Sequence, residues 1–158
     1  MQARILIAAL VVALVVSPAT AATKIDDPVK FVRGVYENIL RNHNYTEPED
    51  IYTHRLAGLF ALEKREAKGE VGRMDFDFWV NGQDSSLTDF VATSKVVEGT
   101  KDREVVSVRF RNSSRVDDEI HFYFEKTIAG WKLDDARCMT KAGWTLSLIL
   151  KYGWDAVK

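Results

Sequence analysis

Val106-Ser107-Val108-Arg109-Phe110-Arg111 and Ile120-His121-Phe122-Tyr123-Phe124-Glu125 are the stretches that decide the fold. In both, an apolar residue alternates with a polar or polar-tipped one. Successive side chains of a strand point to opposite faces, so a period of two gathers the valines, phenylalanines and Ile120 on one side. That pattern predicts antiparallel strands with one dry face and one wetter face. Working outward, Asn112 to Asp118 reads as the hairpin loop between them. Upstream, Phe90, Ala92, Ser94 and Val96 alternate in another strand, and Gly99 to Asp102 supplies the turn. Downstream, Ala129-Gly130 turns the chain, and Trp131 and Leu133 open a fourth strand.

Outside this meander the period becomes helical. Asp27-Pro28 offers a capping carboxylate and a proline at the first helical position. Phe31, Val32, Val35, Tyr36, Ile39 and Leu40 then form an apolar face that ends at Asn42-His43-Asn44. Thr46-Glu47-Pro48-Glu49 reads as a capping box for a second helix, with Ile51, Tyr52, Leu56, Leu59 and Phe60 on its buried side and a stop at Gly69. Met74, Phe76 and Phe78 alternate with Asp75 and Asp77, which suggests a short strand or extended segment before a turn at Asn81-Gly82. A closing helix over Lys141 to Tyr152 would place Trp144, Leu148 and Tyr152 on one side. The whole is an α+β layout: two N-terminal helices packed on a curved antiparallel sheet, with a C-terminal helix. A bent sheet wrapped around a helix leaves a cone, whose mouth is a natural pocket.

Residues 1–22 have the composition of a cleavable export signal. Arg4 precedes an apolar run from Ile5 to Val16, Ser17-Pro18 breaks it, and Ala19-Thr20-Ala21 supplies a small–x–small cleavage pattern. The expected cut follows Ala21 or Ala22, so 23–158 is one domain and its address is periplasmic or secreted. The apolar run is shorter than the ~20 residues a comfortable membrane span needs. No cysteine follows it, which leaves no lipid attachment point. Loss of the segment removes Arg4 alone and takes the formal charge from −1 to −2. That balance gives no electrostatic case for nucleic acid. Cys138 is the sole cysteine, so no disulfide can form within the chain. His43, His54 and His121 lack metal-ligand spacing. Asp75, Asp77 and Asn81-Gly82 do not make a calcium loop, because Trp79 falls on a ligand position. No Gly-rich phosphate loop or nucleophile elbow is present, and no cofactor is expected.

The order helix, helix, Asp-rich aromatic segment, Gln83-Asp84, then strands ending in Gly130-Trp131-Lys132-Leu133-Asp134-Asp135 resembles the bacterial family called domain of unknown function 3828. The resemblance spans about Pro28 to Leu150. It implies the cone-shaped α+β fold of the nuclear transport factor 2-like (cystatin-like) superfamily and an exported bacterial protein with no established activity. That superfamily hosts isomerases, dehydratases, binding modules and immunity proteins, so the fold alone does not decide function.

The candidate site residues each have two readings. Asp135, by simple alternation, shares the covered face of Trp131 and Leu133, where burial would tune a carboxylate toward general-base work. Its other reading is that the strand ends or bulges at Asp134 and both carboxylates are solvated. Asp84 is a pocket-rim acid beside Gln83, or a turn-capping carboxylate. His121 and Tyr123 are an acid–base pair, or outer-face residues at a partner contact. Tyr36 points its hydroxyl into the cone, or is a core aromatic. Trp131 lines the pocket. Arg103, Arg109, Arg111 and Arg115 meet an acidic partner, or are balanced by Asp117, Asp118 and Glu119. Trp144, Tyr152 and Trp154 form a sticky patch, or close the base of the core. Together these favour a non-enzymatic binding module for a small apolar ligand or an envelope protein, with a homodimer possible. The alternatives are an isomerase, dehydratase or hydrolase using Asp135 or Asp84 as base, and an immunity protein against a secreted toxin.

Overall fold

In a computed structural model, which describes residues 23–42, 45–83, 87–96, 100–112, 116–140 and 143–157, the alternating stretches form four antiparallel strands. These are β1 (Leu87–Val96), β2 (Arg103–Asn112), β3 (Val116–Thr127) and β4 (Gly130–Cys138), side by side in that order. Val106 pairs with Phe122 and Val108 with Ile120, so the apolar residues of both strands share a face, and all four are fully buried. Three α-helices complete the α+β fold: α1 (Pro28–Asn42), α2 (His54–Ala67) and α3 (Leu146–Tyr152).

α1 begins as expected, with the Lys30 amide donating to Asp27 Oδ1 at 2.9 Å. Its buried stripe is Val32, Val35, Tyr36 and Ile39. Tyr36 brings that stripe against the dry side of the sheet, its ring 5.5 Å from those of Phe90 and Phe110 and 6.3 Å from Phe122.

The second helix starts later than Thr46. Glu49–Ile51 makes only a 3-10 turn after Pro48, and Tyr52 then runs extended to pair with Leu133 of β4. Pairing with a strand edge pulls this segment out of helical geometry. Thr53 is the true cap: its Oγ1 accepts from the Leu56 amide at 3.2 Å. The helix ends through Lys68 and Gly69, both at positive φ.

The alternation at residues 74–78 does not continue as a strand. Phe78, Trp79 and Val80 are all buried in a turn closed by an Asp77–Gly82 bridge. Asp77 Oδ1 accepts the Trp79 amide at 2.8 Å. Asn81, at φ 51°, accepts from Trp144 Nε1 at 2.7 Å and donates to Asp118 at 3.1 Å. The Asn-Gly turn thus ties the C-terminal segment to the sheet. α3 is also shorter than expected. Thr145 pairs with Arg137 of β4, so Trp144 precedes the helix, and the buried face is Leu146, Ile149 and Leu150; Leu148 and Tyr152 are exposed.

β4 is an edge strand with a covered edge. Ile25 pairs with Trp131, Tyr52 with Leu133 and Thr145 with Arg137. These bridges occupy backbone groups that would otherwise template a foreign strand. The close approach of Ile25 depends on Gly130, whose φ is 102° and where a Cβ would lie 2.8 Å from the Ile25 carbonyl oxygen. Expectations for the leader at 1–22, for His43, Asn44, Asp84, Gly99, Arg115 and Lys141, and for the Glu49 side chain lie outside the described residues. Among the described residues, no helix is long and apolar enough to cross a membrane.

Candidate functional site

The register of β4 corrects the placement of Asp135. Leu133 pairs with Phe124 and Asp135 with Tyr123, so Asp134 is an extra, unpaired residue. Such a bulge puts two residues opposite one and bends the strand. It turns Asp135 away from the dry face of Leu133 and onto the wetter face of Tyr123. Asp135 is nevertheless only 7% exposed, so it is not a solvated group. Its Oδ1 accepts the Ser147 amide at 3.0 Å and the Ala136 amide at 3.0 Å. Its Oδ2 accepts the Ser147 hydroxyl at 2.7 Å and lies 3.8 Å from the Arg55 guanidinium. Asp134 accepts Thr53 Oγ1 at 2.7 Å and Arg55 Nε at 3.0 Å. Burial works to raise the Asp134 carboxyl, but hydrogen bonds from Arg55 and Thr53, with the Arg55 charge, hold it below the ordinary value.

A hollow of about 450 Å³ opens beside this pair, lined by Arg103, Tyr123, Glu125, Asp134, Asp135 and Arg137 among others. Its walls carry both charge signs. The Arg137 guanidinium lies 4.8 Å from the Tyr123 ring centroid, and His121 Nε2 is 2.7 Å from Glu119 Oε1. His121 and Tyr123 share a face yet each is engaged by a different neighbour. Arg109 meets Glu119 and Arg111 meets Asp117, so those arginines sit on a charge-balanced outer face.

The remaining expected site residues do not converge. Tyr36 is fully buried and donates its hydroxyl to the Trp79 carbonyl at 2.6 Å. Burial, then the charges of Asp77 and Asp118, raise its phenol well above the usual value. Gln83 is exposed and reaches the Asp75 carbonyl at 3.3 Å. Trp131 is half-buried at the β3–β4 hairpin, with Lys126 Nζ 5.6 Å from its ring. Trp144 is buried, and Trp154 packs on Phe76 at 5.1 Å. Cys138 is buried, its Sγ 2.9 Å from Thr140 Oγ1. Among the described residues, no three His, Cys, Asp or Glu side chains converge as metal ligands.

The dry side of the sheet is filled by rings. Trp79 stacks on Phe122 at 4.6 Å and meets Phe31, Tyr36 and Phe78 at 5.1 to 6.5 Å. The roomier concavity lies elsewhere. A groove of about 670 Å³ runs between the Tyr45–Tyr52 segment and α2, lined by Tyr45, Glu47, Tyr52, Ala57, Phe60 and Ala61. Tyr52 lies 4.9 Å from Phe60, ring to ring, and donates its hydroxyl to Glu47 Oε1 at 2.5 Å. Burial and then the Glu47 charge push the Tyr45 phenol up to about 12, and the same causes raise Tyr52. Both tyrosines are therefore neutral phenols beside a carboxylate. Ala57 and Ala61, one helical turn apart, keep the α2 wall low next to Phe60.

This groove was missed from sequence. One of its walls is the Tyr45–Tyr52 segment, which the sequence assigns to the start of a helix but in which Tyr52 pairs with Leu133 of β4 instead. The one local signal is the Ala57/Ala61 spacing beside Phe60. No protein-family model matches the chain, and no curated protein or solved structure gives a significant match.

Proposed function

We propose that this chain is an exported, periplasmic or secreted, non-enzymatic binding module, built on the cone-shaped frame of the nuclear transport factor 2-like superfamily. We place its ligand in the groove between Tyr45–Tyr52 and α2. Support for the frame comes from the two helices that precede the meander, from Tyr36 lying against three strands, and from the bulges between Thr88 and Val91 and at Asp134, which bend strands. Support for export comes from the composition of residues 1–22.

The observation that carries the binding assignment is the contrast between two spaces. The dry side of the sheet is packed with buried rings, whereas the outer groove is open and aromatic-walled. Ligand sites combine apolar walls with a few polar groups, and the Glu47–Tyr52 pair provides these. The catalytic alternative is weaker at Asp135, because the Ala136 and Ser147 amides and the Ser147 hydroxyl already take three of the roughly four acceptor positions of its carboxylate and tie it to β4 and α3.

A thermal-shift screen of small molecules against the protein and its Ala61→Trp variant tests this. Ala61 is exposed on α2, so tryptophan there obstructs the groove without entering the core. Ligands that raise the melting temperature of the parent and lose the effect in the variant support the proposal. A screen without stabilising ligands, or one whose ligands act equally on both proteins, overturns it. Export is checked by sequencing the N-terminus of the secreted or periplasmic protein, which should begin at residue 22 or 23.

A further inference from the structure

We infer that the groove is selective for a small organic cation, an alkyl- or methyl-substituted ammonium, held against the Tyr45, Tyr52 and Phe60 rings with Glu47 as its counter-charge. This rests on the groove being the binding site.

Three features of the lining select that chemistry. The first is the density of π surface. Tyr45, Tyr52 and Phe60 line the groove, and a weakly hydrated cation beside aromatic rings is attracted by their quadrupoles. A strongly hydrated metal ion would lose its water shell there for too few oxygen ligands. The second is charge. Glu47 and Glu63 face a single ammonium, that of Lys64, which is exposed. An anionic ligand would meet Glu47 within the aromatic wall. A neutral apolar ligand would cover that carboxylate and return nothing for its lost hydration. The third is the supply of donors. Tyr52 directs its hydroxyl hydrogen to Glu47, and that bond orients the carboxylate. The Glu63 carboxylate, at the far end, already accepts the Arg73 amide at 2.8 Å. Glu47 therefore remains as the acceptor within the aromatic wall, and the Ala57/Ala61 step leaves room for methyl groups.

Isothermal titration calorimetry at fixed ionic strength compares choline with 3,3-dimethylbutan-1-ol, its uncharged counterpart of the same shape. Choline should bind at least about tenfold more tightly than the alcohol, a ratio equivalent to roughly 1.4 kcal/mol. Glu47→Gln keeps an oxygen for the Tyr52 hydroxyl but removes the charge, and should weaken choline at least about fivefold while leaving the alcohol unchanged. Phe60→Leu keeps apolar volume and removes a ring, and should weaken choline by a similar factor. Circular dichroism melts confirm that each variant is folded. Three results overturn the inference: equal or tighter binding of the alcohol, choline binding that ignores both substitutions, or no choline binding. None of these touches the groove as a site if other ligands remain sensitive to Ala61→Trp. Choline binding that survives Ala61→Trp overturns the cation inference and the groove assignment together.

Discussion

Asp135 has both carboxylate oxygens occupied, and the donors on them come from its own strand and from the start of α3. Its work is therefore to hold α3 onto β4. Asp135→Ala should leave the Ser147 amide and hydroxyl without their acceptor and cost about 2–3 kcal/mol, the scale of unsatisfied buried donors. Asp135→Asn keeps one acceptor oxygen and should cost about half as much. Urea unfolding midpoints decide this; equal, near-zero costs would return Asp135 to the list of free acids. Asp134 makes a pH-dependent companion. Its folded carboxyl titrates below the ordinary value, so the stability it adds is present above about pH 4 and is lost as pH falls through the depressed folded value. Arg55→Met removes the partner that depresses it. At neutral pH the variant should be less stable by about 1–2 kcal/mol. The gap to the parent should then close as pH drops from 4 toward 2. A gap that stays constant across that range would show that Arg55 acts through pH-independent contacts, its hydrogen bond to the Asp134 carbonyl among them, and not through the carboxylate.

At the scale of elements, the start of α2 is the clearest case of two competing caps. Thr46-Glu47-Pro48-Glu49 has the composition of a capping box, but six residues separate Thr46 from the cap at Thr53. Thr53 both caps the helix and donates to Asp134, so Thr53→Ala should cost about 1–2 kcal/mol and lower the helical circular dichroism. Thr46→Ala, at an exposed position, should change stability by less than about 0.5 kcal/mol. The reverse order would restore the earlier helix start. The same contrast marks what was legible in the sequence. β2 and β3 were readable because their period of two is set by the residues themselves, and α1 because Asp27-Pro28 is a local signal. The Tyr52 pairing was not, since it depends on where the β4 edge lies. The Asp134 bulge was not, since a bulge is defined by the partner strand and two adjacent acids look alike with or without one. Phe78-Trp79-Val80 was not, since three consecutive buried residues follow no period. The aromatic groove takes one wall from the segment that ends in Tyr52 and shares its invisibility.

For the whole molecule, the question is whether the sheet side and the α2–α3 side unfold as one body. The chain has no disulfide to bind them, because Cys138 is its only cysteine. Their connection runs through side chains. Phe122 is fully buried at the sheet, under the Trp79 indole; Trp79 belongs to the turn that ends in Asn81; and Asn81 joins Asp118 of β3 to Trp144, just ahead of α3. α3 is in turn held to β4 through Ser147 and Asp135. A core continuous along that route should lose cooperativity nowhere, so damage at its centre should be felt at both ends. Phe122→Ala removes the ring on which Trp79 stacks and should cost about 3–5 kcal/mol, the range for large-to-small changes in packed cores. Tryptophan fluorescence reports all four indoles, of which Trp79 and Trp144 are buried, and far-ultraviolet circular dichroism reports the helices. Both probes should shift to the same lower denaturant midpoint with an unchanged slope, as two-state unfolding requires. If instead fluorescence moved and the helical signal kept its parental midpoint, the two sides would be separate cooperative units. The groove on α2 could then change shape without the sheet taking part. Coincident transitions would mean that the groove wall unfolds together with the core behind it, as one cooperative unit.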